Sequence, residues 1–62
     1  MIILRKIKDP GEKWQEISEI ECLKETEGSG SWPEGTVMNM LKDGRVVPTM
    51  FAEFKKQEGD IK

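Results

Sequence analysis

The 62-residue chain has no histidine, no tyrosine, a single cysteine and no apolar run longer than four residues. Each absence removes a class of structure or chemistry. Cys22 alone cannot form an intrachain disulfide, and one thiol without histidine cannot build a zinc site. The carboxylates lack the Asp-x-Asp-x-Asp-Gly rhythm of a calcium loop, so neither metal nor cofactor is expected. The apolar stretch Met1-Ile2-Ile3-Leu4 precedes the bases Arg5 and Lys6 and is too short for a signal peptide or a membrane span. A cytoplasmic protein with no membrane partner is expected, and a free cysteine suits that reducing compartment. Met1 at the start fits a complete small gene product, a kind that often regulates something larger.

Catalysis needs a nucleophile paired with a base, two carboxylates poised across a cleft, or a metal. The commonest general base is missing. Cys22 has Glu21 beside it and, on a helix, Glu19 and Glu25 one turn away, and negative neighbours raise a thiol's pKa. Cys22 therefore reads as a small buried residue, no small-molecule substrate is evident, and an enzyme is not expected.

Ten bases meet twelve acids for a net charge of -2, which weighs against a protein whose main work is neutralising phosphates. The charge is segregated. Residues 1–8 hold Arg5, Lys6 and Lys8 with no acid, whereas residues 9–28 hold seven acids against Lys13 and Lys24. The acidic run reads as a solvated face. So short a chain hides only about 60 % of the surface that its unfolded form exposes. Its core rarely supplies a surplus above roughly 3–5 kcal/mol unless a disulfide, a metal or a partner adds to it. With the first two removed, residues 1–62 are expected to form one small domain that gains stability from its own copies, as a homodimer, or from a larger protein.

The expected architecture is α+β. Met1-Ile2-Ile3-Leu4-Arg5-Lys6-Ile7 reads as an N-terminal strand ending at Asp9-Pro10-Gly11. Asp9-Pro10-Gly11-Glu12 fits either a helix start or a type II turn with Gly11 at positive φ. Trp14, Ile17, Ile20 and Leu23 recur every three residues among good helix formers, which favours a helix near 10–26. Gly28, Gly30 and Gly35 lack the context of a phosphate loop and read as a flexible connector. Ser31-Trp32-Pro33-Glu34 matches a capping box ahead of Val37, Met38, Met40 and Leu41, with Gly44 as the stop. Asp43-Gly44 equally signals a hairpin. Thr49 as a cap, Phe51 and Phe54 at i, i+3, and Lys55-Lys56 predict a short C-terminal helix, with residues 58–62 frayed. Were both ambiguous segments strands, the alternative is a small SH3-like β-barrel closed by that short C-terminal helix.

Most of Trp14, Trp32, Met38, Met40, Met50, Phe51 and Phe54 belong in the core of so small a domain. Trp32, beside the Gly-Ser connector, is expected to stay partly exposed as an anchor or to act as a hydrophobic staple. Trp32, Met38, Met40 and Phe51 are the candidate partner-binding residues. The expected function is that of a small non-enzymatic regulator or inhibitor acting through protein–protein binding.

A second reading comes from Thr36-Val37-Met38-Asn39-Met40-Leu41-Lys42-Asp43-Gly44-Arg45-Val46-Val47-Pro48. This stretch resembles the small excisionase and phage-regulator family, whose second helix tends to read Thr-Val-x-x-Met/Ile-x-x-x-Gly before an extended exit containing Pro. The resemblance implies a helix-turn-helix with Asn39 and Lys42 facing DNA and Arg45 on the flanking wing. Asn to adenine and Lys to guanine or phosphate are suitable chemistries. Family members carry several more bases on that helix, the turn here is longer, and the preceding helix is acidic.

Overall fold

The β-branched and aliphatic residues at the start of the chain form strand β1 (Ile3–Ile7) in the computed structural model, which describes residues 1–57. Asp9-Pro10-Gly11-Glu12 then makes the type II turn rather than a helix start. Gly11 takes φ +85°, and the Glu12 N–H donates to the Asp9 carbonyl at 3.2 Å. Strand β2 (Gln15–Ile17) runs back along β1, pairing Ile17 with Ile3 and Gln15 with Arg5.

The helix expected near 10–26 is therefore shorter, and its first half is a turn and a strand. Helix α1 (Glu19–Thr26) begins only after Ser18, whose Oγ accepts the Glu21 N–H at 3.1 Å. A strand before the break and a helix after it leave Ile17 and Leu23 packed against the core and turn Ile20 out to solvent. The three-residue spacing arose from two different elements.

Helix α2 (Thr36–Lys42) follows the Gly-Ser connector, without the capping box expected of Ser31 and Glu34. Gly35 stands at the N-cap with φ +86° and has no side chain to accept a hydrogen bond. Glu27, from the end of α1, supplies the acceptor. Its Oε2 receives the N–H groups of Gly35 and Val37 at 3.0 and 3.1 Å, so a carboxylate sits where the helix dipole favours it. The C-terminus closes as a Schellman motif, with Gly44 at φ +81°, its N–H on the Leu41 carbonyl and the Arg45 N–H on that of Met40. Asp43-Gly44 is thus a helix stop.

Strands β3 (Val47–Pro48) and β4 (Ala52–Lys56) complete an antiparallel sheet of order β2-β1-β4-β3. The predicted C-terminal helix is β4. Ala52 and Phe54 alternate inward along it while β4 pairs with β1 over its whole length, from Ile3 opposite Lys56 to Ile7 opposite Ala52. A ladder of that length outweighs a local helical spacing carried by two phenylalanines. Thr49, the expected helix cap, caps a tight turn instead. The SH3-like barrel is not formed either, because the sheet has two edges, β2 and β3. Residues 58–62, expected to fray, lie outside the described residues.

Strand parity sends Ile3 and Arg5 of β1, and Ala52 and Phe54 of β4, toward the helices. Ile3, Cys22, Val37, Leu41, Val47, Ala52 and Phe54 form the core, with Ile17, Leu23, Trp32, Met38 and Met40 packed around it. Buried Thr26 is satisfied by donating from Oγ1 to the Cys22 carbonyl at 2.8 Å. Arg5 crosses from the sheet to pair with Glu25 on α1. On the opposite sheet face, the Lys55 ammonium lies 4.4 Å over the half-buried Trp14 ring. No helix among the described residues is long and apolar enough to cross a membrane.

Candidate protein-binding surface

Thr49 fixes the tip of the β3–β4 hairpin. Its N–H and its hydroxyl donate to the Ala52 carbonyl at 2.8 and 3.0 Å, while Oγ1 accepts the N–H groups of Phe51 and Ala52 at 3.3 and 3.1 Å. From the other side, the Lys8 N–H donates to the Phe51 carbonyl at 3.0 Å. A turn tied at this many points has little backbone freedom left to lose on docking. It presents Met50 and Phe51, which are 80 % and 75 % exposed.

Ile20 is the third strongly exposed apolar side chain, at 73 %, whereas the other exposed large hydrophobics lie between 41 % and 47 %. Cys22 and Thr26 turn inward from α1, and at 3.6 residues per turn Ile20 stands roughly 160° around the helix from Cys22. It lines a groove of about 420 Å³ with Leu23, Lys24, Glu27, Gly28 and Glu34. A second groove, of about 500 Å³, runs between Lys24, Glu25 and the connector serines on one side and Thr49–Ala52 on the other. Lys24 borders both grooves, so the three most exposed apolar side chains lie on adjoining parts of one surface.

Of the predicted partner-binding residues, Phe51 stands on this surface. Trp32, Met38 and Met40 are half-buried against the core. The Trp32 indole Nε1 donates to the Pro48 carbonyl at 2.8 Å, which clamps the connector to β3 and makes the ring a structural strut. Ile20 and Met50 were missed. The three-residue period places Ile20 inward and pliability places Met50 in the core, whereas the structure leaves both exposed.

The residues of the nucleic-acid reading are exposed on α2 and just after it. The Asn39 amide donates from Nδ2 to the Gly35 carbonyl at 3.2 Å. The carbonyl of Lys42 accepts the Lys56 ammonium at 3.4 Å, and Arg45 follows the Schellman turn. Residues 27–35, containing the Gly-Ser connector, separate α1 from α2, where a helix-turn-helix uses a turn of about 3–4 residues.

The Cys22 thiol is fully buried, and burial, reinforced by the carboxylates of Glu25, Glu27 and Glu19, pushes its pKa up from 9.0 to about 11. It is protonated at neutral pH. No group of three or more histidine, cysteine, aspartate or glutamate side chains among the described residues is placed to hold a metal ion.

Comparison with known proteins matches no family model, no curated protein and no solved structure to this chain.

Proposed function

We propose that the chain is a small non-enzymatic regulator or inhibitor that works by protein–protein binding, with Phe51 and Met50 as its anchors. The observation carrying this reading is the pairing of strong exposure with rigidity at the hairpin tip. Large apolar side chains on a fixed backbone are what binding hot spots use, because little ordering cost opposes the gain from burying them. Ile20 and its groove extend the same surface. The buried, protonated Cys22 adds no nucleophile to it.

A photoactivatable phenylalanine at position 51, irradiated in the cells that make the protein, tests this reading against the same probe at exposed Glu12 in the first turn. The expected result is a discrete protein adduct from position 51 that is lost with Met50→Ser and has no counterpart from position 12. Equal labelling from both positions overturns the reading. So does retention of duplex DNA at low salt that disappears when Lys42 and Arg45 are replaced by alanine.

A further inference from the structure

We propose that Met50 is the residue at which a peroxide oxidises this protein, and that its sulfoxide turns the hairpin tip from apolar to polar and releases the partner. The selectivity follows from where the sulfur atoms lie, and the release rests on reading the surface as a protein interface. The chain carries its sulfur in four methionines and one cysteine. Met50 is 80 % exposed and Met1 47 %, whereas Met38 and Met40 are half-buried against the core and Cys22 is fully buried.

A thiolate is ordinarily the first sulfur to meet peroxide. Here it is withheld, because burial and the nearby carboxylates keep the Cys22 thiol protonated at neutral pH. A thioether needs no deprotonation, so access decides among the methionines. The Met50 sulfur attacks one oxygen of hydrogen peroxide. An S–O bond forms as the O–O bond breaks, sulfur gives up two electrons, and the second oxygen leaves as water, taking the proton of the transferred one. Methionine sulfoxide reductases return the sulfoxide to the thioether.

The fold tolerates this change at position 50 and not at 38 or 40. The turn is closed by the Thr49 N–H and hydroxyl on the Ala52 carbonyl and by Thr49 Oγ1 accepting from Phe51 and Ala52, bonds in which the Met50 side chain takes no part. A sulfoxide at Met38 or Met40 instead sets a polar group against the packed core. Met50 and Phe51 line one groove, so the new oxygen enters the surface that holds the proposed anchor ring. Burying it against an apolar partner leaves a strong acceptor unpaired, which opposes docking.

Treating the full chain with a limiting amount of hydrogen peroxide, folded and in urea, and mapping its sulfoxides by peptide mass spectrometry tests the site. In the folded chain Met50 is expected to oxidise at least about threefold faster than Met38 or Met40, with urea removing the difference and the circular dichroism spectrum unchanged once Met50 is converted. Equal rates in the folded chain, or a Cys22 that oxidises before Met50, overturn Met50 as the site. In cells carrying the photoactivatable phenylalanine at position 51, a peroxide pulse is expected to reduce the protein adduct by about tenfold. Met50→Leu, which keeps an apolar side chain of similar size but forms no sulfoxide, is expected to retain it. An adduct that survives full conversion of Met50, or is lost equally from Met50→Leu, overturns release by oxidation. A chain that gives no discrete adduct even before the pulse overturns the protein-binding reading and release with it, whereas the sulfoxide map decides the site of oxidation independently.

Discussion

Phe54 and Phe51 lie three residues apart on one hairpin, and one is fully buried while the other is three-quarters exposed. Phe54 sits on β4 opposite Arg5 and Val47, in the middle of the only apolar core among the described residues. Phe51 occupies a turn whose backbone is tied by Thr49 and Lys8 while its ring touches solvent. Chemically identical side chains therefore answer to different demands. The ring at 54 serves folding, and the ring at 51 stands outside the buried core cluster, where we propose that a partner meets it.

The sharpest break in that contrast is Phe54→Ala. Truncating a buried phenylalanine costs about 3–5 kcal/mol, which is the whole surplus expected of so small a core. The variant is expected to give an unfolded circular dichroism spectrum at room temperature.

The pH response is next. Cys22 ionises near pH 9.0 when unfolded and near 11 when folded, so above pH 9 the unfolded chain loses a proton that the folded chain keeps. Conformational stability should be independent of this thiol below that pH and fall between about pH 9 and 11. Urea midpoints measured across that window, with Cys22→Ala as the reference lacking the slope, check it.

Glu27→Ala removes the acceptor for two N–H groups at the start of α2 and is expected to cost about 1–2 kcal/mol in urea denaturation, as loss of a helix cap does. Glu25→Gln, which breaks the partly exposed pair with Arg5, should cost under about 1 kcal/mol. Phe51→Ser should change the stability of the isolated monomer by less than about 0.5 kcal/mol, the range for surface positions outside the packed core.

The same two phenylalanines explain what could be read from the sequence and what could not. Strand β1 is legible because its aliphatic and β-branched residues end at Asp9-Pro10-Gly11, a turn signal that a helix start shares, and the raised pKa of Cys22, whose first cause is burial, has the direction its carboxylate neighbours predict. The C-terminal strand was not legible. Its inward positions are Ala52 and Phe54, and a small alanine is a weak signal beside Phe51, so the eye of a periodicity argument falls on a helical spacing of three. What decides the matter is pairing with β1, at the other end of the chain, which no local window contains. The Glu27 cap was hidden for a similar reason, since the carboxylate reaches a helix that starts well after it while the local Ser31–Glu34 pattern goes unused. On the candidate surface Phe51 is among the residues expected to meet a partner, whereas the exposure of Ile20 and Met50 depends on the helix phase and the hairpin.

The most direct test of the division between a folding ring and an exposed ring is a set of urea melts of wild type, Phe51→Ser and Phe54→Ala. Wild type and Phe51→Ser are expected to agree within about 0.5 kcal/mol, whereas Phe54→Ala is expected to show no folded baseline. A Phe51→Ser midpoint well below wild type, or a Phe54→Ala chain that melts as wild type does, contradicts that division.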